Sequence, residues 1–349
     1  MKTVKESLSK KEIEKYERKI FDLRQLIEIS KGLNSTLEYN ILIESILLTC
    51  MGQMQCIKAG IFLKKDIDDE SFILHRNYKG FELNHNHDYI INHSSRLIEL
   101  IAKSPNCLTF DEISRILPED TKALITLSEI NPILVVPLKG KGKLNGIIVL
   151  GERINELPFN SDEKEYLLDI GALAGIAIEN AYLYELATTD MMTKLKIHHF
   201  FQTTLMEERE NALRRETPLS LIFLDIDNFK LFNDKFGHIC GDIVLKRVAN
   251  IIKLNCRQND IAARYGGEEM AIILPKSQLK AALVVAERIR SHIAGDVVLY
   301  DGKELSVTVS VGVSQFIPEV DKTNDDFVSR TDKALYMAKE QGKNKVCHL

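Results

Sequence analysis

The chain has 349 residues, more than one ordinary domain needs, and with 45% hydrophobic and 28% charged residues it has the composition of a soluble globular protein with a substantial core. A formal net charge of −4 supplies no global basic field, which argues against nucleic acid as the main partner. The six cysteines, Cys50, Cys56, Cys107, Cys240, Cys256 and Cys347, show no paired metal-type spacing and read as reduced thiols of a cytoplasmic protein; the charged start, Met1 to Glu6, is no signal core, and Ile41 to Met51 is too short and too interrupted to span a membrane.

Ser9 to Lys31 carries Ile13, Tyr16, Ile20, Leu23 and Ile27 at spacings of three and four, the narrow stripe of a helix that pairs with a second helix, either in a dimer or on its own domain. Leu37 to Met54 repeats the helical period. Strands are expected at Ala59 to Lys64 and Ser71 to Tyr78 around an Asp-Ile-Asp-Asp turn, and at Pro132 to Pro137 and Gly146 to Gly151 around Gly140 to Lys143. Helical stretches near Ser94 to Ala102 and Glu119 to Leu127 lie between the pairs. Ser161 is a plausible N-cap for a long helix through Leu167, Ile170, Leu173, Ile176 and Leu183 to Ala187, which reads as a connector that pairs with its copy or as the last helix of its own domain.

This order, closing on Leu-Asn-Gly-Ile-Ile-Val-Leu-Gly and Phe159-Asn160-Ser161-Asp162-Glu163, resembles a GAF sensory domain. The resemblance admits a small-molecule ligand, with a cyclic nucleotide the leading expectation and a purely structural, ligand-free domain the alternative, since Gly151-Glu152 stand where the nucleotide-binding members carry Asn-Lys. The expected organisation is a helix over 1–32, a GAF-like antiparallel sheet with flanking helices over 33–160, a connecting helix over 161–187 and a second domain over 188–349.

The second domain alternates strands and helices: helix His198 to Arg215, strand Leu219 to Asp225, helix Gly241 to Asn255, helix Leu279 to Ala294, strands around Asp301-Gly302, strand Leu305 to Gln315, helix Asp325 to Gln341 and strand Lys345 to His348. Between Ile261 to Tyr265 and Met270 to Leu274, Gly266-Gly267-Glu268-Glu269 must form a hairpin turn, where the glycines permit positive φ. A neighbouring strand ending in Asp225 would bring three carboxylates to one sheet edge, where they repel unless a hard cation such as Mg²⁺ neutralises them.

Arg264 to Met270 resembles the signature of the GGDEF diguanylate cyclases in its Gly-Gly-Glu-Glu-Phe form, with Met270 in place of Phe. Thr188 to Leu195 resembles the family's opening motif, keeping Asp190, Thr193 and Leu195 but carrying Lys194 where the family has Gly. The resemblance implies a nucleotidyl-cyclase α/β sandwich and a homodimer that condenses two GTP into cyclic di-GMP. It places Mg²⁺ on Asp225, the carbonyl of Ile226, Glu268 and Glu269, with Glu268 also a candidate general base. It implies phosphate binding at the amides of Phe229 and Lys230, guanine reading by Asn233 and Asp242, and outer-phosphate binding by Lys339 and Lys343, one helical turn apart. Asp227 reads as a solvated strand end, and an N-cap is the alternative for Asp242. Arg257 and Asp260 match a product-inhibition site, to which Arg288 or Arg290 would add a second half. The alternatives are a degenerate domain that binds GTP or cyclic di-GMP as an effector, and a cyclase of altered nucleotide choice.

Overall fold

The computed structural model describes residues 10–64, 70–84, 86–117, 122–140 and 142–349; Ser9, the Asp-Ile-Asp-Asp turn, the start of the helix expected from Glu119 and Lys141 lie outside them. The chain divides into two compact units, Met1–Glu185 and Leu186–Leu349.

The first unit contains α1 (Lys10–Leu33), α2 (Tyr39–Met54), β1 (Ala59–Lys64), β2 (Ser71–Leu74), β3 (Ile90–Asn92), α3 (Arg96–Lys103), β4 (Leu108–Thr109), α4 (Phe110–Ile116), α5 (Lys122–Ile130), β5 (Leu134–Gly140), β6 (Lys143–Leu150) and α6 (Ser161–Thr188). The strands form an antiparallel sheet in the order β3-β2-β1-β6-β5-β4. Period-two alternation gives it two apolar faces. Ile61, Leu63, Ile148 and Leu150 pack with α2 and α6, while Phe62, Ile147 and Val149 pack with α3 and α5. β2 ends at Leu74, short of the expected Tyr78, because the chain turns at His75 to Tyr78 and returns to bridge Ala59 through Lys79.

Asn160, not Ser161, supplies the cap of α6: its side chain accepts from the Glu163 amide at 2.9 Å while its own amide donates to Glu163 Oε2 at 2.9 Å. Arg153 grips Glu163 through both terminal nitrogens, at 3.0 and 2.8 Å, and donates to the Met54 carbonyl at 3.0 Å. Contrary to expectation, α6 is long and apolar enough to cross a bilayer by length and composition. Its buried face, Leu167, Ile170, Gly171, Ala174, Gly175, Ala177, Ile178 and Ala181, is spent on the sheet instead. A Cβ at Gly171 would stand 2.7 Å from the Pro137 carbonyl oxygen and one at Gly175 2.9 Å from that of Lys139, so these glycines let the helix lie directly on β5.

The second unit contains β7 (Lys196–Ile197), α7 (His198–Arg215), β8 (Leu219–Ile226), α8 (Phe229–Phe236), α9 (His238–Asn255), β9 (Ile261–Arg264), β10 (Glu269–Pro275), α10 (Leu279–Ala294), β11 (Val298–Tyr300), β12 (Lys303–Leu305), β13 (Val309–Gln315), α11 (Asn324–Glu340) and β14 (Val346–His348). The main sheet runs β14-β13-β8-β10-β9-β7. β8 is buried at every position and lies between two apolar layers, one with α9 and α10, the other with α7 and α11. The strand expected from Leu305 to Gln315 is split: Leu305 pairs with Val298 in a separate ribbon, whereas Val309 pairs with Ile226. Met270 is fully buried in the α9–α10 layer, a place an apolar residue of either shape can fill. Gly312 has no side chain because α11 crosses there: a Cβ would stand 2.3 Å from the Leu335 amide nitrogen. That close approach carries the end of α11 to the end of β8.

Candidate functional site

The antiparallel register sets Asp225 directly opposite Glu269, and opposed residues on paired strands project from the same face of the sheet. Burial, then the Asp225 carboxylate beside it, pushes the Glu269 pKa up; burial also raises that of Asp225. Lys339 answers this repulsion, with its Nζ 2.9 Å from Asp225 Oδ2. Asp332, on α11 ahead of Lys339, adds to the negative field at Glu269 and was not anticipated; its spacing of seven from Lys339 puts it on the same helical face.

Two expectations about the hairpin are corrected. Neither Gly266 nor Gly267 adopts a positive φ. A Cβ at Gly266 would stand 2.5 Å from Glu269 Oε2, so a side chain there would displace the Glu269 carboxylate from its present position. The structure brings two carboxylates together, Asp225 and Glu269, and not three; among the described residues no group of three or more His, Cys, Asp or Glu could hold a metal unaided. Glu268 sits in the turn, half-buried. Two opposed carboxylates with raised pKa, beside a strand-end carbonyl, are nonetheless a donor set that fits Mg²⁺, which commonly takes one or two protein carboxylates and fills its remaining positions with water and substrate phosphate.

Asp227 is no solvated strand end. It is 8% exposed and accepts from Thr308 Oγ1 and Ser310 Oγ, each at 2.6 Å, and from the Asn344 amide at 3.0 Å. It thereby pins the chain after α11 to the end of β8. Lys339 and Lys343 do not share a helical face, because α11 ends at Glu340 and the chain passes through left-handed conformations at Gly342 (φ 106) and Lys343 (φ 64). Lys343 Nζ instead donates to Asn228 Oδ1. Asn228, also left-handed (φ 58), is the residue from which α8 starts, leaving the amides of Phe229 and Lys230 at a helix N-terminus where an anion is favoured.

Asn233 Oδ1 is buried without a protein partner, against Gly241, where a Cβ would stand 1.9 Å away. Such an orphaned acceptor is costly unless a ligand satisfies it. Asp242 follows Gly241 on α9, and since Gly237 occupies the N-cap position the capping alternative for Asp242 is excluded. The helix begins at His238, ahead of the expected Gly241.

Arg257 and Asp260 close a turn, with the Arg257 amide donating to Asp260 Oδ2 at 2.8 Å and the Asp260 amide to the Arg257 carbonyl at 3.0 Å. Burial raises the Asp260 pKa, opposed by Arg257 and Arg288. Arg288 also donates to the Asn255 carbonyl at 2.7 Å, whereas Arg290 is committed to Glu287 and Asn344, each at 2.6 Å. Arg288 is therefore the arginine that faces this turn.

Arg264 escaped the sequence reading as a site residue. Its guanidinium donates to the Gly267 carbonyl at 2.8 and 3.1 Å and reaches Asp190 at 3.2 Å. The signal was present, since Arg264 is the one charged residue on the otherwise apolar strand β9.

The family model for the diguanylate cyclase GGDEF domain matches residues 187–345. Diguanylate cyclase A of Treponema denticola is 44% identical over 335 residues, 95% of this chain and 90% of that protein. The response regulator PleD of Caulobacter vibrioides is 40% identical over 164 residues, 46% of this chain and 36% of its own length. Among solved structures, the diguanylate cyclase SiaD of Pseudomonas aeruginosa in complex with its activator SiaC is 35% identical, with a TM-score of 0.47 over 49% of this chain and 65% of that one.

Proposed function

The chain belongs to the GGDEF diguanylate cyclase family, enzymes of the nucleotidyltransferase type, and from that premise we propose that it condenses two GTP into cyclic di-GMP with release of two pyrophosphates. The observation that carries the reading is the opposed pair Asp225 and Glu269 with Lys339 against it. In each half-reaction the 3′-oxygen of one GTP forms a bond to the α-phosphorus of the other, the bond from that phosphorus to the pyrophosphate oxygen breaks, and the hydroxyl proton passes to Glu268 as general base. Asp225, the Ile226 carbonyl and Glu269 would hold Mg²⁺, which supplies charge neutralisation at the phosphates, and the family resemblance adds Glu268 of the adjoining turn to that set.

The chain's own residues bind and orient. The amides of Phe229 and Lys230 receive phosphate oxygens at the α8 N-terminus. Asn233, whose buried carbonyl oxygen has no protein partner, would rotate that oxygen from Gly241 toward guanine N–H donors, and the Asp242 carboxylate would accept from the same base edge. Lys343 and Lys339 meet the outer phosphates, with Lys339 exchanging its contact with Asp225 for the substrate. Arg257, Asp260 and Arg288 bind cyclic di-GMP as an inhibitor.

Each cyclase unit holds one GTP, so the active species is a homodimer with facing half-sites. The α1 stripe supports pairing, since Ile13, Tyr16, Ile20, Leu23 and Ile27 are 45–56% exposed. The first unit acts as a GAF-type sensor of a small molecule, for which a cyclic nucleotide is the leading ligand, in a cytoplasmic protein. Incubation of the purified chain with GTP and Mg²⁺, with chromatographic resolution of the products, tests the reading: cyclic di-GMP and pyrophosphate are expected. Binding of GTP without any product would make the domain an effector, and turnover of another nucleotide in preference to GTP would overturn the guanine assignment.

A further inference from the structure

Three consecutive residues after α11, Gly342, Lys343 and Asn344, have positive φ, at 106°, 64° and 46°. Glycine takes such a conformation freely, but in lysine it brings Cβ against the following carbonyl oxygen. A residue with a side chain stays there only where its surroundings over-determine the backbone. Here they do so mainly through Asn344, whose amide donates to Asp227 Oδ2 at 3.0 Å and whose side-chain oxygen accepts from Arg290 Nη1 at 2.6 Å. On one side the Lys343 amide donates to the Ala338 carbonyl at 3.0 Å, and on the other the Lys345 carbonyl accepts from the Val311 amide at 2.9 Å. With the backbone so held, the Lys343 side chain crosses to Asn228 Oδ1, at the start of α8.

Asp227 is itself firmly anchored. Its own amide donates to the Thr308 carbonyl at 2.9 Å, while Oδ1 accepts from the Ser310 hydroxyl and Oδ2 from both the Thr308 hydroxyl and the Asn344 amide. Both carboxylate oxygens are thereby committed to protein donors. Asp225, two residues earlier, instead meets Lys339 and stands opposite Glu269. The two acids of the Asp-Ile-Asp run therefore do different work: the first faces the reaction site, and the second ties the start of β13 to the turn that carries Lys343.

We infer that Asp227 is a positioning residue for substrate phosphate: through the Asn344 amide it holds Lys343 in the left-handed conformation that carries its ammonium group to the α8 N-terminus. That is where the amides of Phe229 and Lys230 already favour an anion. Without this hold the turn relaxes toward ordinary backbone conformations, and the ammonium group leaves the phosphate position. The role rests on the proposed function, in which Lys343 meets the outer phosphates, and adds to it the residue that fixes where Lys343 stands.

The test is steady-state turnover of GTP with Mg²⁺ by the full chain, together with inhibition by added pyrophosphate, which reports on the outer-phosphate position without the base. Cyclic di-GMP formation by the parent is measured first, so that failure of the proposed function shows in the parent and failure of the Asp227 role only in the variants. Asp227→Ala is expected to raise KM for GTP and the inhibitory constant of pyrophosphate by about tenfold or more, with kcat at saturating GTP within about threefold of the parent. Asp227→Asn should recover most of the loss, since its carbonyl oxygen can keep Thr308 and Asn344 while its NH₂ donates to the Ser310 hydroxyl. Lys343→Ala should raise KM by a similar factor, and adding Asp227→Ala to it should raise KM no further, as expected of a residue that acts through Lys343. Asp227→Ser, which keeps a hydroxyl beside Thr308 and Ser310, replaces the alanine variant if that one does not fold. The assignment is overturned if the alanine or serine variant keeps the parent's KM, if Asp227→Asn is as impaired as Asp227→Ala, or if the losses from Asp227→Ala and Lys343→Ala multiply in the double variant.

Discussion

The Asp190 carboxylate and the Arg264 guanidinium meet at 3.2 Å, joining the turn that opens the cyclase unit to the Gly267 carbonyl of the signature hairpin. Asp190 is held on its own side by Thr193, whose amide and hydroxyl donate to it at 2.8 and 2.6 Å. Although burial opposes ionisation, these bonds and Arg264 keep the Asp190 carboxyl below the usual range. One guanidinium thus fixes the conformation of the turn that carries Glu268.

Arg264→Ala should cost about 1–2 kcal/mol of stability, the worth of hydrogen bonds to a charged group in a partly buried setting. It should lower kcat by about tenfold or more through a loosened turn, since small misplacements at a reacting centre are expensive. Arg264→Lys should recover part of the stability and less of the activity, because lysine cannot serve Asp190 and Gly267 with one planar fork. Since the folded pKa of Asp190 is depressed, the stability contributed by this contact is present at neutral pH and is lost as pH falls through that pKa, so parent and Arg264→Ala should converge in acid. Thermal melts across pH, beside GTP turnover, check both statements; an unaltered kcat would confine Arg264 to a packing role.

Lys194 has φ 55, a left-handed conformation that glycine adopts without the strain a side chain brings. The opening turn nevertheless forms, with the Lys194 amide donating to the Asp190 carbonyl and the Asp190 amide to that of Leu195, each at 2.7 Å. Lys194→Gly should therefore stabilise the protein by up to about 1 kcal/mol, net of the greater freedom glycine gives the unfolded chain. A melting temperature at or below that of the parent would show that the lysine is accommodated without strain.

Glu269→Gln should abolish cyclic di-GMP synthesis and yet stabilise the metal-free protein at neutral pH. The Glu269 pKa is raised by burial and by Asp225, so ionisation costs more in the folded state than in the unfolded one. Stability from such a group is complete in acid and declines as pH rises through its folded pKa. The variant should therefore melt above the parent at pH 7 in chelator, and the gap should close on acidification. Mg²⁺ should stabilise the parent and not the variant. Retained synthesis would remove Glu269 from the metal assignment.

What the sequence disclosed, and what it hid, follows from the range of each interaction. α7, α10 and the β11–β12 ribbon lie where local periodicity and turn residues place them, because those signals act within a few residues. The proximity of Asp225 to the hairpin was legible from apolar runs that end in acids. The register that opposes it to Glu269, and not to Glu268, depends on pairing between distant strands and had no local signature. Asp227 was misjudged for the same reason: its partners Thr308, Ser310 and Asn344 are all remote in sequence. Lys343 was placed on a helix by counting residues, but Gly342 had already ended it.

The turn Arg257 to Asp260 allows a division of labour to be tested. Asp260 is occupied within the turn by the Arg257 amide, which leaves the Arg257 side chain for a ligand, and Arg288 lies against the same turn while anchored to Asn255. Cyclic di-GMP should slow the parent enzyme, and Arg257→Ala should raise the inhibitory concentration by tenfold or more with little change in the initial rate, as expected for a charge-assisted contact made only to the inhibitor. Arg288→Ala should give a comparable loss of inhibition with a modest fall in melting temperature, because its contact with the Asn255 carbonyl also disappears. Arg290→Ala should leave inhibition intact, since that side chain is committed to Glu287 and Asn344. Initial rates measured against added cyclic di-GMP distinguish these variants, and equal inhibition of parent and Arg257→Ala would reduce the turn to a surface feature without a regulatory role.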